Sequence, residues 1–196
     1  MAKKVAVMLD GGHVRSYVKK AKLDYNPDFI EKIGRACVQS NDEIFRILYY
    51  DCPPYHGEVA LPVSGKTCKY TKNDKWLNDL SQKEYFAIRL GVIKFRGFVP
   101  KKIPLAPLQL KDSDFKARFE QKGVDMRIGL DMAIFSENKS IDVIALVTND
   151  TDCIPAMKHA RKSGIQIALA VIPGYTPAPE LLSHSDFKYS INWPNP

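Results

Sequence analysis

"LVTNDTDCIPAMKHARKSGIQIAL", residues 146–169, contains an acidic turn and a helical pattern between two apolar runs. The runs at residues 141–147 and 165–172 lack the strict alternation of a half-exposed sheet, so they predict buried strands. Residues 154–162 between them have the apolar spacing of a helix. Because a strand, a helix and a second strand follow one another, the stretch indicates parallel strands that are joined by a helix.

The same alternation continues through the rest of the chain. Further buried strands are predicted at residues 5–9, 44–50 and 91–98, and further helices at residues 27–38, 76–90 and 125–135. The pattern therefore predicts an α/β fold in which helices flank a mostly parallel central sheet. A chain of 196 residues is long enough for one well-buried core, so we expect residues 1–196 to form a single domain.

Two lysine-rich segments interrupt this alternation, at about residues 52–75 and 99–122. Each is longer than an ordinary connection between elements, so we predict that both are basic loop insertions in the domain. Lysines beside aromatic residues suit a phosphate backbone with stacked bases, which predicts a nucleic-acid surface. The lysines expected to bind are Lys66, Lys69, Lys72, Lys101 and Lys102. The alternative is that both segments are solvated loops without a ligand.

The composition excludes several classes of protein. A chain with 45% hydrophobic and 26% charged residues is typical of a globular domain rather than a disordered one. No apolar run approaches the roughly 18–20 residues that span a bilayer, and the N-terminal residues lack a signal-peptide pattern. We therefore expect a cytoplasmic protein with no membrane partner. The four cysteines are widely spaced, which indicates neither a disulfide framework nor a zinc ribbon.

The formal net charge of +7 favours a polyanionic partner, because a basic surface attracts and steers nucleic acid. Charge alone does not distinguish RNA from DNA or from an acidic protein. It also leaves the oligomeric state open, including a homo-oligomer.

Acidic residues follow two of the predicted strands and begin one of the predicted helices. Asp150 and Asp152 come after the strand at residues 141–147, and Asp10 directly follows the strand at residues 5–9. Capping of the next helix explains one acid of the pair at 150 and 152, but not both. The carboxyl ends of parallel strands share one edge, so we expect Asp10 and Asp150 to meet there.

Asp125 begins the predicted helix at residues 125–135 and is expected beside the same edge. Four carboxylates in one cleft repel one another and raise one another's pKa, and a divalent cation relieves that repulsion. Oxygen ligands without a nearby pair of Cys or His favour Mg²⁺ or Mn²⁺ over zinc.

Asp131 lies six residues after Asp125, a rotation of roughly 240° around a helix, so the two do not share one face. We predict that Asp125 is the ligand and that Asp131 forms an outer contact or holds the helix against the sheet. A helix that starts later, with Asp131 facing the cleft and Asp125 as its cap, is the alternative.

Three segments resemble the NYN branch of the PIN-like ribonuclease superfamily, particularly its LabA-like members. They are "VMLDGGH" at residues 7–13, "KGVDMRIGLDM" at residues 122–132 and the opening stretch at residues 146–169, in the expected order. The resemblance implies a three-layer, Rossmann-like domain and a metal-dependent endoribonuclease. Three positions depart from the family pattern. His13 replaces an Asn, Thr148-Asn149 replaces Ser-Gly, and Cys153 replaces a Phe.

The resemblance implies that Asp10, Asp125, Asp150 and Asp152 form the catalytic pocket. Of these, Asp10, Asp125 and Asp150 are expected to hold Mg²⁺ or Mn²⁺, while Asp152 orients water or holds a second ion. His13 and Asn149 are expected around them, in contact with substrate or with the ligands. Two other functions stay open at this point: a non-catalytic module that binds RNA or protein, and a metal-dependent hydrolase of a small phosphate ester.

Overall fold

A parallel sheet with helices on both faces forms the centre of the protein. The computed structural model describes residues 2–104 and 109–191. In chain order the strands are β1 (Lys4–Asp10), β2 (Glu43–Asp51), β3 (His56–Ala60), β4 (Thr67–Thr71), β5 (Phe86–Leu90), β6 (Val92–Pro100), β7 (Phe115–Lys122), β8 (Val143–Val147), β9 (Gln166–Val171) and β10 (Phe187–Ser190). The helices are α1 (Gly11–Ala21), α2 (Pro27–Ala36), α3 (Lys75–Ser81), α4 (Val124–Asn138), α5 (Ile154–Lys162) and α6 (Pro179–Ser183).

The six strands of the central sheet run parallel in the order β10-β9-β8-β1-β2-β5. Alternate side chains of β1 pack into two hydrophobic cores, one on each face of the sheet. Val7 and Leu9 pack with buried residues of α1, α2 and α3 on one face. Ala6 and Met8 pack with buried residues of α4, α5 and α6 on the other face. The predicted α/β fold with three layers is therefore confirmed.

The strand order creates a crevice at the carboxyl ends of β1 and β8. The chain proceeds from β1 to β2 and β5 on one side, and then returns to β8, β9 and β10 on the other side. Ligands of open α/β sheets bind where the strand order reverses in this way. Leu9 of β1 pairs with Val147 of β8, so the residues that follow each strand lie side by side.

The predicted helix at residues 76–90 is wrong over its second half. Helix α3 ends at Ser81, Tyr85 has a positive φ of 67°, and β5 follows as the edge strand beside β2. Apolar spacing cannot separate a short edge strand from a helix, and pairing with β2 decides the outcome. The predicted strand at residues 91–98 is β6, but it leaves the central sheet and pairs antiparallel with β7.

The two segments predicted to be loops contain paired strands. Strands β3 and β4 form one antiparallel ribbon within residues 52–75, and β7 lies within residues 99–122. Exposed and half-buried residues alternate along β3 and β4, a strand pattern that the Pro-, Gly- and Lys-rich composition of the whole segment concealed. Residues 105–108 of the second segment lie outside the described residues. None of the helices among the described residues has the length and apolar character that a membrane crossing needs.

Candidate functional site

Asp10 is the last residue of β1 and caps the start of α1. Its Oδ1 accepts a hydrogen bond from the backbone N–H of His13 at 3.1 Å, and its Oδ2 accepts one from the Thr148 hydroxyl at 2.9 Å. A Cβ at Gly11 would lie 2.4 Å from the Tyr49 hydroxyl oxygen, so only glycine fits after Asp10. The carboxylate is therefore oriented by α1 on one side and by the residues after β8 on the other.

Thr148 connects Asp10 to the acidic turn. Its side chain is buried at the end of β8. The hydroxyl oxygen donates to Asp10 and accepts from the backbone N–H of Asp150 at 3.1 Å. In the sequence, Thr148 stood out only as a departure from the family pattern. Its position directly after a buried strand was a signal that its hydroxyl would need buried partners.

Asp150, Asp152 and Asp125 form the closest acidic group. Oδ1 of Asp150 accepts from the backbone N–H of Asp152 at 2.9 Å, which caps the 3₁₀ turn Thr151–Cys153. Asp125 lies in the first turn of α4. Each of the three carboxylates offers an oxygen within 4.8 Å of the other two. Asp10 lies outside this group, so the closest set contains Asp152 in place of Asp10, which was predicted as a ligand.

The charges of this group act on one another. Partial burial raises the pKa of Asp125, and the charges of Asp150, Asp10 and Asp152 raise it further. The neighbouring carboxylates therefore disfavour the deprotonated, negatively charged form of Asp125.

An open cleft of about 540 Å³ lies over these acids. We call it the acidic cleft, and its lining consists of Asp10, Gly12, His13, Gln121, Val124, Asp125, Asn149, Asp150 and Thr151. The cleft thus brings together Asp10, Asp125 and Asp150, with Asp152 beside the last two. Its walls come from α1, the end of β7, the start of α4 and the turn after β8.

His13 follows β1 and Asn149 follows β8, and both residues line the acidic cleft. The His13 ring packs edge-on against Tyr175, with centroids 4.7 Å apart. Burial lowers the pKa of His13, although the charge of Asp10 opposes this, so the imidazole is neutral at pH 7. Asn149 accepts a hydrogen bond from the backbone N–H of Ala178 at 3.1 Å, which ties the start of α6 to the cleft.

Asp131 faces the sheet rather than the cleft. It is buried and accepts hydrogen bonds from the Tyr50 hydroxyl and from Nε of Arg89, both at 2.9 Å. These contacts tie α4 to β2 and β5. The tie keeps the helix that carries Asp125 in place.

Asp51 was not identified from the sequence. It ends β2 and its side chain is fully buried. It accepts hydrogen bonds from the Tyr49 hydroxyl at 2.7 Å and from Nε2 of Gln121 at 3.0 Å, and it is paired with Arg15. The run "ILYYD" was the available signal, because Asp51 ends an apolar strand as Asp10 does.

The five lysines predicted to bind nucleic acid are exposed and lie outside the lining of the acidic cleft. Lys66 lies in the turn that joins β3 to β4, and Lys69 lies on β4, where its Nζ is 3.4 Å from Oε1 of Glu58. Lys72 lines a second pocket that is walled by aromatic side chains. Lys101 and Lys102 follow β6.

A family profile and a solved structure place the chain among known proteins. The NYN domain profile matches residues 4–191. The fold is similar to the crystal structure of a protein of unknown function from Vibrio parahaemolyticus, with a TM-score of 0.56 and 12% sequence identity over 97% of this chain and 94% of that one. No curated protein matches the sequence. Because the profile covers nearly the whole described fold, the chain belongs to the NYN domain family, a branch of the PIN-like superfamily.

Proposed function

We propose that the protein is a metal-dependent endoribonuclease that hydrolyses phosphodiester bonds in RNA. The observation that carries the proposal is the acidic group of Asp125, Asp150 and Asp152, with oxygens within 4.8 Å of one another, at a cleft that also contains Asp10. Membership of the NYN family supports a nuclease with a divalent metal. The position at the reversal of strand order supports a ligand site there.

The donor chemistry of the acidic cleft fits Mg²⁺ or Mn²⁺. All members of the closest group are carboxylates, which are the hard oxygen ligands that these ions prefer. The pKa of Asp125 is raised by partial burial and, further, by repulsion from the neighbouring carboxylates, and a bound cation would offset that repulsion. Asp10, Asp125 and Asp150 all line the acidic cleft, and we assign them as the residues that would hold the ion. Asp152, whose carboxylate lies within 4.8 Å of those of Asp125 and Asp150, is available to the same ion, to a second ion or to water.

When bound, a divalent cation supplies Lewis-acid activation of water and of the scissile phosphate. The side chains of this protein supply orientation and proton acceptors. Thr148 and the His13 N–H fix the Asp10 carboxylate, and the 3₁₀ turn fixes Asp150. Exposed Asp152 is placed to accept a proton from water. Neutral His13 offers a donor to a phosphate oxygen at the wall of the cleft.

Incubation of purified protein with fluorescent single-stranded RNA tests the proposal. We expect cleavage with Mg²⁺ or Mn²⁺ and none with EDTA. A chromogenic phosphate ester serves as the second substrate. Cleavage of the ester without cleavage of RNA would favour the small-ester hydrolase, and RNA binding without any cleavage would favour the binding module.

Asp125 and Asp131 should behave differently when each is changed to Asn. Asp125→Asn removes a ligand, so hydrolysis should be lost with every divalent cation. Asp131→Asn acts through the placement of α4, so a loss of about 10–100-fold that excess Mn²⁺ partly restores is expected. A Mn²⁺ titration of each variant gives the answer, with thermal melting to confirm folding. If excess Mn²⁺ restored the activity of Asp125→Asn but not that of Asp131→Asn, the two assignments would be reversed.

Lys66, Lys69 and Lys72 should control RNA affinity rather than chemistry. Their joint replacement by Ala should weaken binding and flatten the logarithmic salt dependence by about 0.7 for each phosphate that is no longer neutralised. Replacement of Lys22, Lys139 and Lys162 is the charge-matched control, because these residues lie where α1, α4 and α5 end, away from the acidic cleft. If the two triple variants had equal salt slopes, Lys66, Lys69 and Lys72 would not contact the RNA phosphates.

A further inference from the structure

A second pocket, of about 360 Å³, lies where α3 meets two antiparallel ribbons, the one of β3 and β4 and the one of β6 and β7. Its lining includes Arg15, Tyr55, Tyr70, Lys72, Trp76 and Phe119, and we call it the aromatic pocket. Aromatic walls with cations at the rim suit an unstacked base and its phosphate, because every base offers a face for stacking.

The aromatic walls are held by contacts among themselves. The Phe119 ring lies 5.3 Å from the ring of Tyr55 and 5.3 Å from that of Tyr70, measured between centroids. Trp76 packs edge-on against Tyr49 at 5.9 Å. Phe119 nevertheless remains 37% exposed. The rings therefore form a pre-arranged surface that a planar ligand can reach without unfolding a ribbon.

Arg15 presents a fixed cation to this pocket. Its guanidinium is paired with buried Asp51 and lies 5.8 Å from the centroid of the Tyr25 ring. The side chain is still 42% exposed. A guanidinium that is held in this way loses little conformational freedom when it stacks on a base or contacts a phosphate.

Asp51 joins the aromatic pocket to the acidic cleft. Its Oδ1 accepts from Arg15, which lines the aromatic pocket, and from Nε2 of Gln121, which lines the acidic cleft. One hydrogen-bonded carboxylate therefore separates the two cavities. A strand with a phosphate in the cleft can place a neighbouring base in the aromatic pocket.

We propose that the aromatic pocket binds an unpaired base of single-stranded RNA, next to the phosphate that lies in the acidic cleft. The inference rests on the proposed function, since it takes RNA as the substrate. A base within a duplex stays stacked and paired, so a double-stranded substrate leaves the pocket empty. The pocket thus selects single-stranded RNA without reading a particular sequence.

The test separates contacts to bases from contacts to phosphates. Fluorescein-labelled hexauridylate is compared with a labelled ribose-phosphate hexamer of equal charge that lacks bases, by fluorescence anisotropy in EDTA so that no cleavage occurs. The wild-type chain should bind the hexauridylate about 5- to 100-fold more tightly than the baseless hexamer. The double variant Tyr70→Leu/Phe119→Leu keeps apolar side chains at both positions but removes two of the four rings in the lining, and it should lose most of the preference for the hexauridylate.

Phe98→Leu is the matched control, because Phe98 packs on Phe95 at 5.2 Å and lies outside the described lining of the aromatic pocket. It should retain the wild-type preference. Equal binding of the two hexamers by the wild-type chain, which needs no variant to fold, would overturn the inference. So would an unchanged preference in the folded double variant. If either of those two results were found while the protein still cleaved RNA, the proposed function would stand and only the base pocket would be wrong. If the wild-type chain preferred the hexauridylate but cleaved no RNA with any cation, the base pocket would stand and the proposed catalysis would be wrong.

Discussion

Asp10→Asn and Asp150→Asn should each lower RNA hydrolysis at least about 100-fold, because removal of a ligand charge weakens Lewis-acid stabilisation that is worth several kcal/mol. Both changes are nearly isosteric. In Asp10→Asn, the side-chain oxygen can still accept a hydrogen bond from the His13 backbone N–H or from the Thr148 hydroxyl, the two donors that hold the wild-type carboxylate. Initial rates on fluorescent single-stranded RNA at saturating Mn²⁺ measure the loss.

The same variants should fold as well as the wild-type chain. Partial burial raises the pKa of Asp125, and the charges of Asp150 and Asp10 raise it further, so the folded state binds its proton more tightly than the unfolded state does. Protonation of Asp125 therefore stabilises the folded state at low pH, and this contribution is lost as the pH rises through the raised pKa. At neutral pH, repulsion among the deprotonated carboxylates destabilises the metal-free fold. We therefore expect an equal or higher melting temperature in EDTA for both variants. Asp79→Asn, on an exposed position of α3, should change neither rate nor melting. Full activity in either site variant would remove that residue from the site.

Asp51→Ala should lower the free energy of unfolding by about 3 kcal/mol, because it leaves Arg15 and the Tyr49 hydroxyl without their buried partner. The partial exposure of Arg15 keeps the expected loss at the low end of the range for broken buried pairs. Urea denaturation measures the change, and Asp51→Asn should lose less because one carbonyl oxygen remains.

Asp79→Ala is the control for this change, with an expected shift within about 0.5 kcal/mol because the residue is exposed. A loss below about 1 kcal/mol in Asp51→Ala would contradict a structural role for this carboxylate. Activity of the folded Asp51→Ala protein at low temperature should stay measurable, since Asp51 lies outside the described lining of the acidic cleft.

The meeting of Asp10 and Asp150 could be predicted because it depends on strand pattern alone. Each residue follows a buried apolar run, and parallel neighbours end at one edge. The position of Asp125 followed similarly from the start of α4. Hydrophobic periodicity is strongest in such long buried elements, where the pattern and the packing agree.

Other parts of the site depend on contacts between distant residues and could not be predicted from local pattern. The edge strand β5 exists because it pairs with β2, whereas its apolar spacing also suits a helix. Gln121 reaches Asp51 over 70 positions of sequence, through a ribbon that its charged residues disguised as a loop. Asp152 was expected in the pocket, but its place in the closest acidic group, where Asp10 was predicted, depends on the 3₁₀ turn that sets it beside Asp150 and on the approach of α4, which spacing alone leaves undetermined.

Cleavage of a covalently closed, circular RNA is the most direct test of a metal-dependent endoribonuclease, because a circle offers no end to an exonuclease and no terminal phosphate to an esterase. We expect the purified wild-type chain with Mn²⁺ to convert the circle to linear RNA, and neither EDTA-treated protein nor Asp150→Asn with Mn²⁺ to do so. An intact circle with both Mg²⁺ and Mn²⁺, or equal linearisation by Asp150→Asn, would contradict the account.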